Sequence, residues 1–575
     1  MISKCRDGQM ILCSSLEHFA ILPSAPTPIP APTGTNADTG SRWRSVPLWV
    51  WLTLVLLAVL FFAAVRYRLR DMPLERDEGE YAYAGQLMLE GIPPYSLAYN
   101  MKLPGIYAAY AAIMAVFGQT PAGIHLGLLI VNAATTVLLF FLALQLLGRL
   151  AAAITASSYA LLSTSASVMG FEAHATNFVI LPALIGIWLM LCALRSERSW
   201  QFFLSGLFSG IAFLMKQHGI FFVLFCSIYL VWDRWSAKRF ERPVRDLAWF
   251  LGAAILPYLM TCWLMYRAGV FPQFWFWTFE YAGEYSKMGL RRAIRALLEN
   301  SRIVIGPAWP VWILAGIGLT TLWWNPVARR HRRFLLLLFT CSFLSLCPGA
   351  YFRPHYFILF LPIIALLAGI AVNSCAERQP STRGVKYRTL IPCFVFLGCF
   401  AFSILLQRQT YFELAPDAVV REIYGDNAFV PAVKVAAYIR QHSAENARIA
   451  VLGSEPEIYF YAHRHSATGY LYMYSLIVHH KYTALMRRQM MQELAANQPA
   501  YVVYVDVWDD WGGPEGGPEL QEFLPQLHAF MDRSYEVVGL ADIGAETPYV
   551  WGADAQNYRP SSSKVIYVLK RKESD

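Results

Sequence analysis

Four carboxylates fall within six residues in the stretch Glu75-Arg76-Asp77-Glu78-Gly79-Glu80, with Tyr81 and Tyr83 just behind them. Unpaired carboxylates beside apolar surface are costly unless they face water, a partner or a substrate. A carboxylate set against a hydroxyl can take or orient its proton, which is the work of a general base. Asp77 and Glu78, side by side in the middle of the run, are the catalytic candidates, and Glu80 is left as structural. Polar and cationic residues suited to binding a charged substrate break the apolar runs at five further points. They are Lys102; Glu172 and His174 with Thr176 and Asn177; Lys216 and Gln217 with His218; Glu280, Glu284 and Tyr285 with Lys287; and Arg353, His355 and Tyr356.

Each has a plainer role when taken alone. An acidic run is more often a solvated loop. Lys102 before Pro104 can anchor the chain at a headgroup layer. Glu172 and His174 can cap a short loop, and Phe274-Trp275-Phe276-Trp277 belongs to an interfacial aromatic belt. The histidine spacing matches no standard zinc pattern, so no metal ligand is assigned and a divalent cation is left open. What argues for a site is the layout of the chain around these residues.

The chain has 575 residues, of which 56% are hydrophobic and 15% charged. Soluble domains carry about 25% charged residues, so this is a polytopic membrane protein. The net charge of +9 calls for no nucleic-acid partner, because the cytoplasmic loops of such proteins are rich in Lys and Arg. The 10 cysteines are scattered, with no CxxC pair and none beyond residue 412, which excludes a disulfide scaffold there.

Hydropathy places about eleven spans, near residues 46–64, 122–147, 150–168, 176–194, 200–215, 219–232, 246–266, 303–323, 334–350, 354–373 and 389–406. Alternate connections hold the basic residues: Arg149; Arg195 and Arg198; a run at 234–245; a run at 329–333; and another at 378–388. The connections between them hold almost none. By the positive-inside rule the basic set and the N-terminus are cytoplasmic, while the acidic stretch faces outward. The stretch 267–302 is basic yet falls outside on this count, and is outvoted. The apolar run at 104–118 is too short to span, so it is expected as a juxtamembrane helix in the first outer loop.

Residues 1–45 are proline-rich and expected as a disordered cytoplasmic tail. The transmembrane domain is expected over 46–410. A soluble α/β domain is expected over 411–575 on the outer side, with helices at 433–441 and 482–496 and strands at 448–453, 501–505, 535–540 and 565–569. The insert 508–517 reads as a loop over a site or a plain turn. The fold class is thus a polytopic α-helical membrane protein with juxtamembrane helices and a C-terminal α/β domain.

In this order the motifs resemble the C-type membrane glycosyltransferases, specifically bacterial relatives of the dolichyl-phosphate-mannose protein mannosyltransferases and of the transferases that add aminoarabinose or galacturonic acid to lipid A. Arg76-Asp77-Glu78-Gly79-Glu80-Tyr81 carries the resemblance, with Lys102-Leu103-Pro104 leading to Phe117-Gly118. Gly170-Phe171-Glu172-Ala173-His174-Ala175-Thr176, Met215-Lys216-Gln217 and Arg353-Pro354-His355-Tyr356-Phe357 complete it. It implies transfer of a sugar from a polyprenyl-phosphate donor to a lipid, envelope glycan or protein acceptor on the outer face of the inner membrane, with inversion. It also implies that Asp77 sits at the active site as the base, with Glu78 holding or tuning it through its charge, and Lys102 near the lipid phosphate. Lys-Leu-Pro stands where the lipid A transferases have Lys-Pro-Pro, and Glu172 where those relatives often show Asp, which leaves sugar and acceptor open. A transporter or flippase for a lipid-linked sugar is the alternative. It would place ionisable residues near mid-membrane and often shows a repeat, and neither is evident.

Overall fold

Helices occupy each segment that hydropathy marks as a span. The computed structural model describes residues 46–237, 243–285, 289–377, 390–507, 511, 517–545 and 548–573. The expected N-terminal tail, parts of two basic connections, Lys287 and most of the 508–517 insert lie outside the described residues. Six described helices are long and apolar enough to cross a membrane: Leu48–Arg68, Pro121–Leu147, Ala175–Ser196, Gln217–Ser236, Pro243–Arg267 and Leu290–Thr321. The other expected spans fall on shorter helices, including Arg149–Ser163, Ser199–Met215, Arg332–Leu344, Leu361–Glu377 and Ile391–Leu406. At 1.5 Å per residue, a helix of 17 residues reaches about 25 Å, short of a hydrocarbon core of about 30 Å. The chain is a multi-pass membrane protein; length alone supports fewer spans than the eleven that hydropathy places.

Two arginines after the first span are clamps rather than loop charges. Arg66 is buried and donates to the Ser163 carbonyl at 2.7 Å and to the Gly170 carbonyl, which holds the loop that leads to Glu172 and His174. Arg68 donates to the Tyr411 carbonyl at 2.9 Å and the Leu414 carbonyl at 2.7 Å, tying the first span to the chain beyond the last. The basic stretch that ran against the charge count also has a structural reason. Leu290–Ile305, the first half of the Leu290–Thr321 segment, is amphipathic, with Arg291, Arg292, Arg295 and Arg302 beside exposed Leu290, Ile294 and Leu298, and the apolar half is Trp309–Thr321. Basic residues on such a helix suit headgroups and do not report loop orientation as short loops do.

The acidic stretch is not a loop. It is the first turn of a helix, Arg76–Leu89. Glu75 is the N-cap: its side chain accepts from the Glu78 backbone N–H while Glu78 reaches back to the Glu75 N–H, a reciprocal capping box. Asp77 and Glu78 in the first turn also suit the positive end of the helix dipole. The second helix of this loop, Gly105–Phe117, forms where a juxtamembrane helix was expected. A Cβ on Gly105 would stand 2.5 Å from the Leu214 carbonyl oxygen, so only glycine lets the chain after Lys102 close on the chain before Lys216.

The C-terminal region forms a six-stranded sheet of β1 (Arg448–Leu452), β2 (His465–Ser466), β3 (Tyr501–Asp506), β4 (Tyr535–Asp542), β5 (Tyr549–Trp551) and β6 (Val565–Arg571). Its order is β2-β1-β3-β6-β4-β5. The first three strands in that order are parallel and the rest pair antiparallel. Four of the strands and the helices Phe429–His442 and Thr483–Asn497 fall where alternating and helical patterns placed them. One apolar core joins the sheet to the first loop. Ile449, Val451, Tyr459, Val503, Ile566 and Val568 bury with Tyr81, Tyr83, Leu87, Tyr107 and Tyr110. Each such side chain contributes about 1.5–3 kcal/mol when fully buried, so the sheet is fixed against the helix that begins with Asp77.

Gly79 lies at this contact. A Cβ there would stand 2.6 Å from the backbone nitrogen and Cβ of Glu457, the first residue of the helix Glu457–Ala462 that follows β1. Gly79→Ala is therefore expected to push the sheet off the helix and lower stability by about 1–3 kcal/mol, the usual cost of overpacking. Thermal unfolding of the purified protein in detergent checks this; an unchanged melting temperature would mean the contact yields freely.

Candidate active site

Asp77 and Glu80 are three residues apart on one helix, so they share a face. Between them stands Lys102, whose Nζ is 2.6 Å from Asp77 Oδ1 and 2.8 Å from Glu80 Oε2. The lysine also lies over the Tyr81 ring at 4.6 Å. It is brought there by the turn ahead of Gly105–Phe117, with the Lys102 carbonyl accepting from Tyr95 Oη at 2.6 Å and the Met101 carbonyl from Gln217 Nε2 at 2.8 Å. Gln217 thus pins the Lys102 segment rather than only facing a ligand.

Asp77, Tyr81 and Lys102 form part of the wall of a cavity of about 1460 Å3. Asp77, Lys102, Lys216, Gln217, Glu284, Arg353, His355 and Tyr356, all expected from the sequence, line it. Lys216 Nζ sits over the Tyr356 ring at 4.2 Å. Glu284 faces Lys481 of the C-terminal region at 3.5 Å. The side chain of Tyr285 lies outside the described part of the structure. Ser454, Tyr472 and His480 bring the C-terminal region to the same wall, and Arg291 and Arg292 bring the amphipathic helix.

Glu172 and His174 stand behind Asp77 rather than on the wall. His174 Nε2 is 2.8 Å from Glu172 Oε2, which also accepts from Tyr424 Oη at 2.6 Å. His174 Nδ1 faces Asp77 Oδ2 at 3.8 Å and Glu75 Oε1 at 3.6 Å, and its ring stacks on His355 at 4.0 Å. Glu78 is turned away from the cavity. It is fully buried, accepts from the Ala173 N–H at 2.6 Å and contacts His125 Nε2 at 3.0 Å. Its place is to lock the loop carrying Glu172 and His174 onto the helix that carries Asp77.

The electrostatics follow from this layout. Burial works to raise the Asp77 carboxyl, but Lys102, His174 and Arg353 outweigh it and hold Asp77 below the usual carboxylate range. Burial opposes the Lys102 charge too, yet Asp77 and Glu80 raise its pKa well above that of an ordinary lysine. Lys216 differs: burial, only partly offset by Asp77, and then the charges of Lys102 and Arg353 bring it down to about 7. His174 rises to about 9, since Glu75, Glu172 and Asp77 more than offset its burial.

Asp77, His174 and His355 each offer one ligand atom, and these atoms lie within 4.8 Å of one another. Nδ1 of both histidines is buried without a hydrogen-bond partner. A carboxylate with two imidazoles fits a divalent cation of borderline softness, whose binding would have to displace the proton of His174.

Sequence reasoning missed Glu80 as a site residue, along with Asn100, Tyr107 and Tyr472 that bond it. The spacing of three from Asp77 is the signal that places Glu80; nothing local marks Tyr472.

The family profile of the dolichyl-phosphate-mannose-protein mannosyltransferases matches residues 102–265. That range holds Lys102, Glu172, His174 and Lys216. An undecaprenyl phosphate-alpha-4-amino-4-deoxy-L-arabinose arabinosyl transferase of Pseudomonas paraeruginosa is 28% identical over 367 residues, which cover 59% of this chain. The chain spans 63% of the length of this curated relative. Among solved structures, ArnT from Cupriavidus metallidurans bound to undecaprenyl phosphate aligns with a TM-score of 0.55 at 15% identity, covering 90% of this chain and 98% of that one. The archaeal oligosaccharyltransferase AglB from Archaeoglobus fulgidus, in complex with an inhibitory peptide and a dolichol-phosphate, aligns with a TM-score of 0.53 at 11% identity, covering 93% and 77%. The resemblance read from the motifs holds: the chain has the fold of the C-type membrane glycosyltransferases.

Proposed function

We propose that this protein transfers a sugar from a polyprenyl-phosphate donor to a lipid, envelope glycan or protein acceptor at the outer face of the inner membrane. The observation that carries the reading is the Lys102 ammonium, held between Asp77 at 2.6 Å and Glu80 at 2.8 Å in the wall of a cavity whose other cations include Lys216 and Arg353. A lipid phosphate that leaves with growing negative charge needs such preorganised cations. Relatives named for undecaprenyl- and dolichyl-phosphate chemistry support the choice of donor.

The reaction forms a bond from the acceptor oxygen to the anomeric carbon and breaks the bond from that carbon to the phosphate oxygen. The electron pair leaves with the polyprenyl phosphate, and the acceptor proton passes to Asp77. Direct attack inverts the anomeric centre. In the free site Asp77 is a weak base because Lys102 pairs with it. When a donor phosphate engages Lys102, that pairing loosens and the basicity of Asp77 rises, so the base is armed only with donor in place. Lys216 and Arg353 add charge on the phosphate side. Asp77, His174 and His355 would hold a divalent cation if one is bound, and it would supply Lewis-acid polarisation at the acceptor or phosphate oxygen.

Lys216 gives a pH signature. With its pKa at about 7 in the free protein, it loses its charge as pH rises through that value. The value of kcat/KM, which reports the free enzyme, should therefore fall on the alkaline side. Lys216→Arg, which keeps its proton, should move that limb up by at least about one pH unit. A wild-type profile that stays flat through about pH 9 would contradict the assignment.

The functional reading is tested by mass spectrometry of envelope lipids, glycans and glycoproteins from a deletion strain. One component is expected to lose a single sugar increment, restored by wild type and not by Asp77→Asn. Envelopes identical to wild type in every sugar-bearing component would refute it.

A further inference from the structure

The wall of the cavity beside Lys102 includes a residue that the membrane region does not supply. Tyr472 lies in the C-terminal region, between β2 and β3. The Tyr99 N–H of the first loop donates to the Gly469 carbonyl at 2.7 Å, which ties that segment down. The Tyr472 hydroxyl donates to Glu80 Oε2 at 2.8 Å and lies 3.1 Å from the Arg76 carbonyl. Its ring faces Lys102 Nζ at 5.9 Å.

Glu80 is fully buried, and its Oε2 takes three donors: Lys102 at 2.8 Å, Asn100 at 2.7 Å and Tyr472. Tyr107 donates to the other oxygen. Glu80 does not line the cavity, whereas Lys102 and Tyr472 do. A buried carboxylate whose charge is shared among four donors stays in one place and does not claim the ammonium for itself. Lys102 has three N–H donors; two go to Asp77 and Glu80, and its tip reaches the cavity wall.

We propose that Tyr472 is a positioning residue for the donor: by holding Glu80 it fixes the Lys102 ammonium where it meets the donor phosphate, so that the C-terminal region completes the donor site. This rests on the donor reading above. The sheet is then part of the active site and not only a surface for acceptors.

The test uses full-length purified protein, a synthetic polyprenyl-phosphate sugar for kinetics, and sugar-free polyprenyl phosphate for binding. Tyr472→Phe keeps the ring and removes only the hydroxyl. It is expected to raise the donor KM and the Kd for polyprenyl phosphate together by about tenfold, the low end for a lost hydrogen bond to a charged group, with kcat within about twofold. Glu80→Gln should weaken binding as well, and adding Tyr472→Phe to it should change Kd by less than about twofold, because the tyrosine acts through Glu80. Tyr83→Phe is the control. Its hydroxyl accepts from the Ser466 N–H at 2.7 Å in the same contact between helix and sheet, and its donor KM should match wild type. Wild-type KM in Tyr472→Phe, additive effects with Glu80→Gln, or an equal rise in Tyr83→Phe would each overturn the inference. Wild type that binds no polyprenyl phosphate would overturn the donor reading instead, and this inference with it.

Discussion

Asp77→Asn should lower kcat by about 10³-fold while the donor KM stays within a few-fold of wild type. The amide keeps the size of the side chain and a carbonyl oxygen, but it cannot take the acceptor proton. Uncoupling of binding from turnover is the specific expectation. Asp77 pairs with Lys102 at 2.6 Å; under the proposed function its removal would free the lysine for the donor phosphate and leave donor binding intact. A residue that served only to shape the site would raise KM as well. Steady-state kinetics over donor concentration, with melting curves to confirm the fold, check the prediction.

Lys102→Ala is the second large effect, of a different kind. Under the proposed function the variant would lose the cation that meets the leaving phosphate, and kcat/KM should drop by about 10³-fold through both KM and kcat. It also leaves Asp77 and Glu80 facing each other with nothing between them. Removal of one partner from a buried ion pair costs about 3–5 kcal/mol. The side chains of Lys102 and Asp77 are 22% and 18% exposed, so water recovers part of that and the low end applies. Lys102→Arg should restore the stability before the rate, since the wider guanidinium cannot sit between the two carboxylates with the same geometry. A Lys102→Ala protein with wild-type donor KM would remove the lysine from the donor site.

The membrane helices were legible because hydropathy needs no tertiary information. Each apolar run marked a helix, and the run at 104–118 was too short to be counted as a span. The site was legible in part, and the reason lies at its centre. The acidic stretch was read as a loop, because its N-cap is Glu75 and not one of the Ser, Thr, Asp or Asn residues that announce a helix start. In a loop, Glu78 beside Asp77 is the natural partner. On a helix, neighbours point apart and residues three apart converge, so Glu80 becomes the partner and Glu78 faces His125 and the Ala173 amide. That single difference in local structure exchanges the roles of two glutamates. Tyr472 had no local signal at all; it meets Glu80 from 392 residues away, and only the docking of the sheet brings them together. The stack of His174 on His355 likewise joins residues far apart in the chain, His174 capping Ala175–Ser196 and His355 in the turn Pro354–Leu359.

If Asp77 and Lys102 act on a polyprenyl-phosphate sugar, donor cleavage must depend on the Asp77 carboxylate while donor binding does not. Purified wild type and Asp77→Asn are incubated with a synthetic polyprenyl-phosphate sugar and an extract of the native envelope, and release of polyprenyl phosphate is followed by mass spectrometry. Wild type should release it in step with the appearance of one sugar-bearing product, while Asp77→Asn binds the donor and leaves it intact. Donor untouched by wild type, or consumed by Asp77→Asn at the wild-type rate, would mean that these residues do not carry out sugar transfer from such a donor.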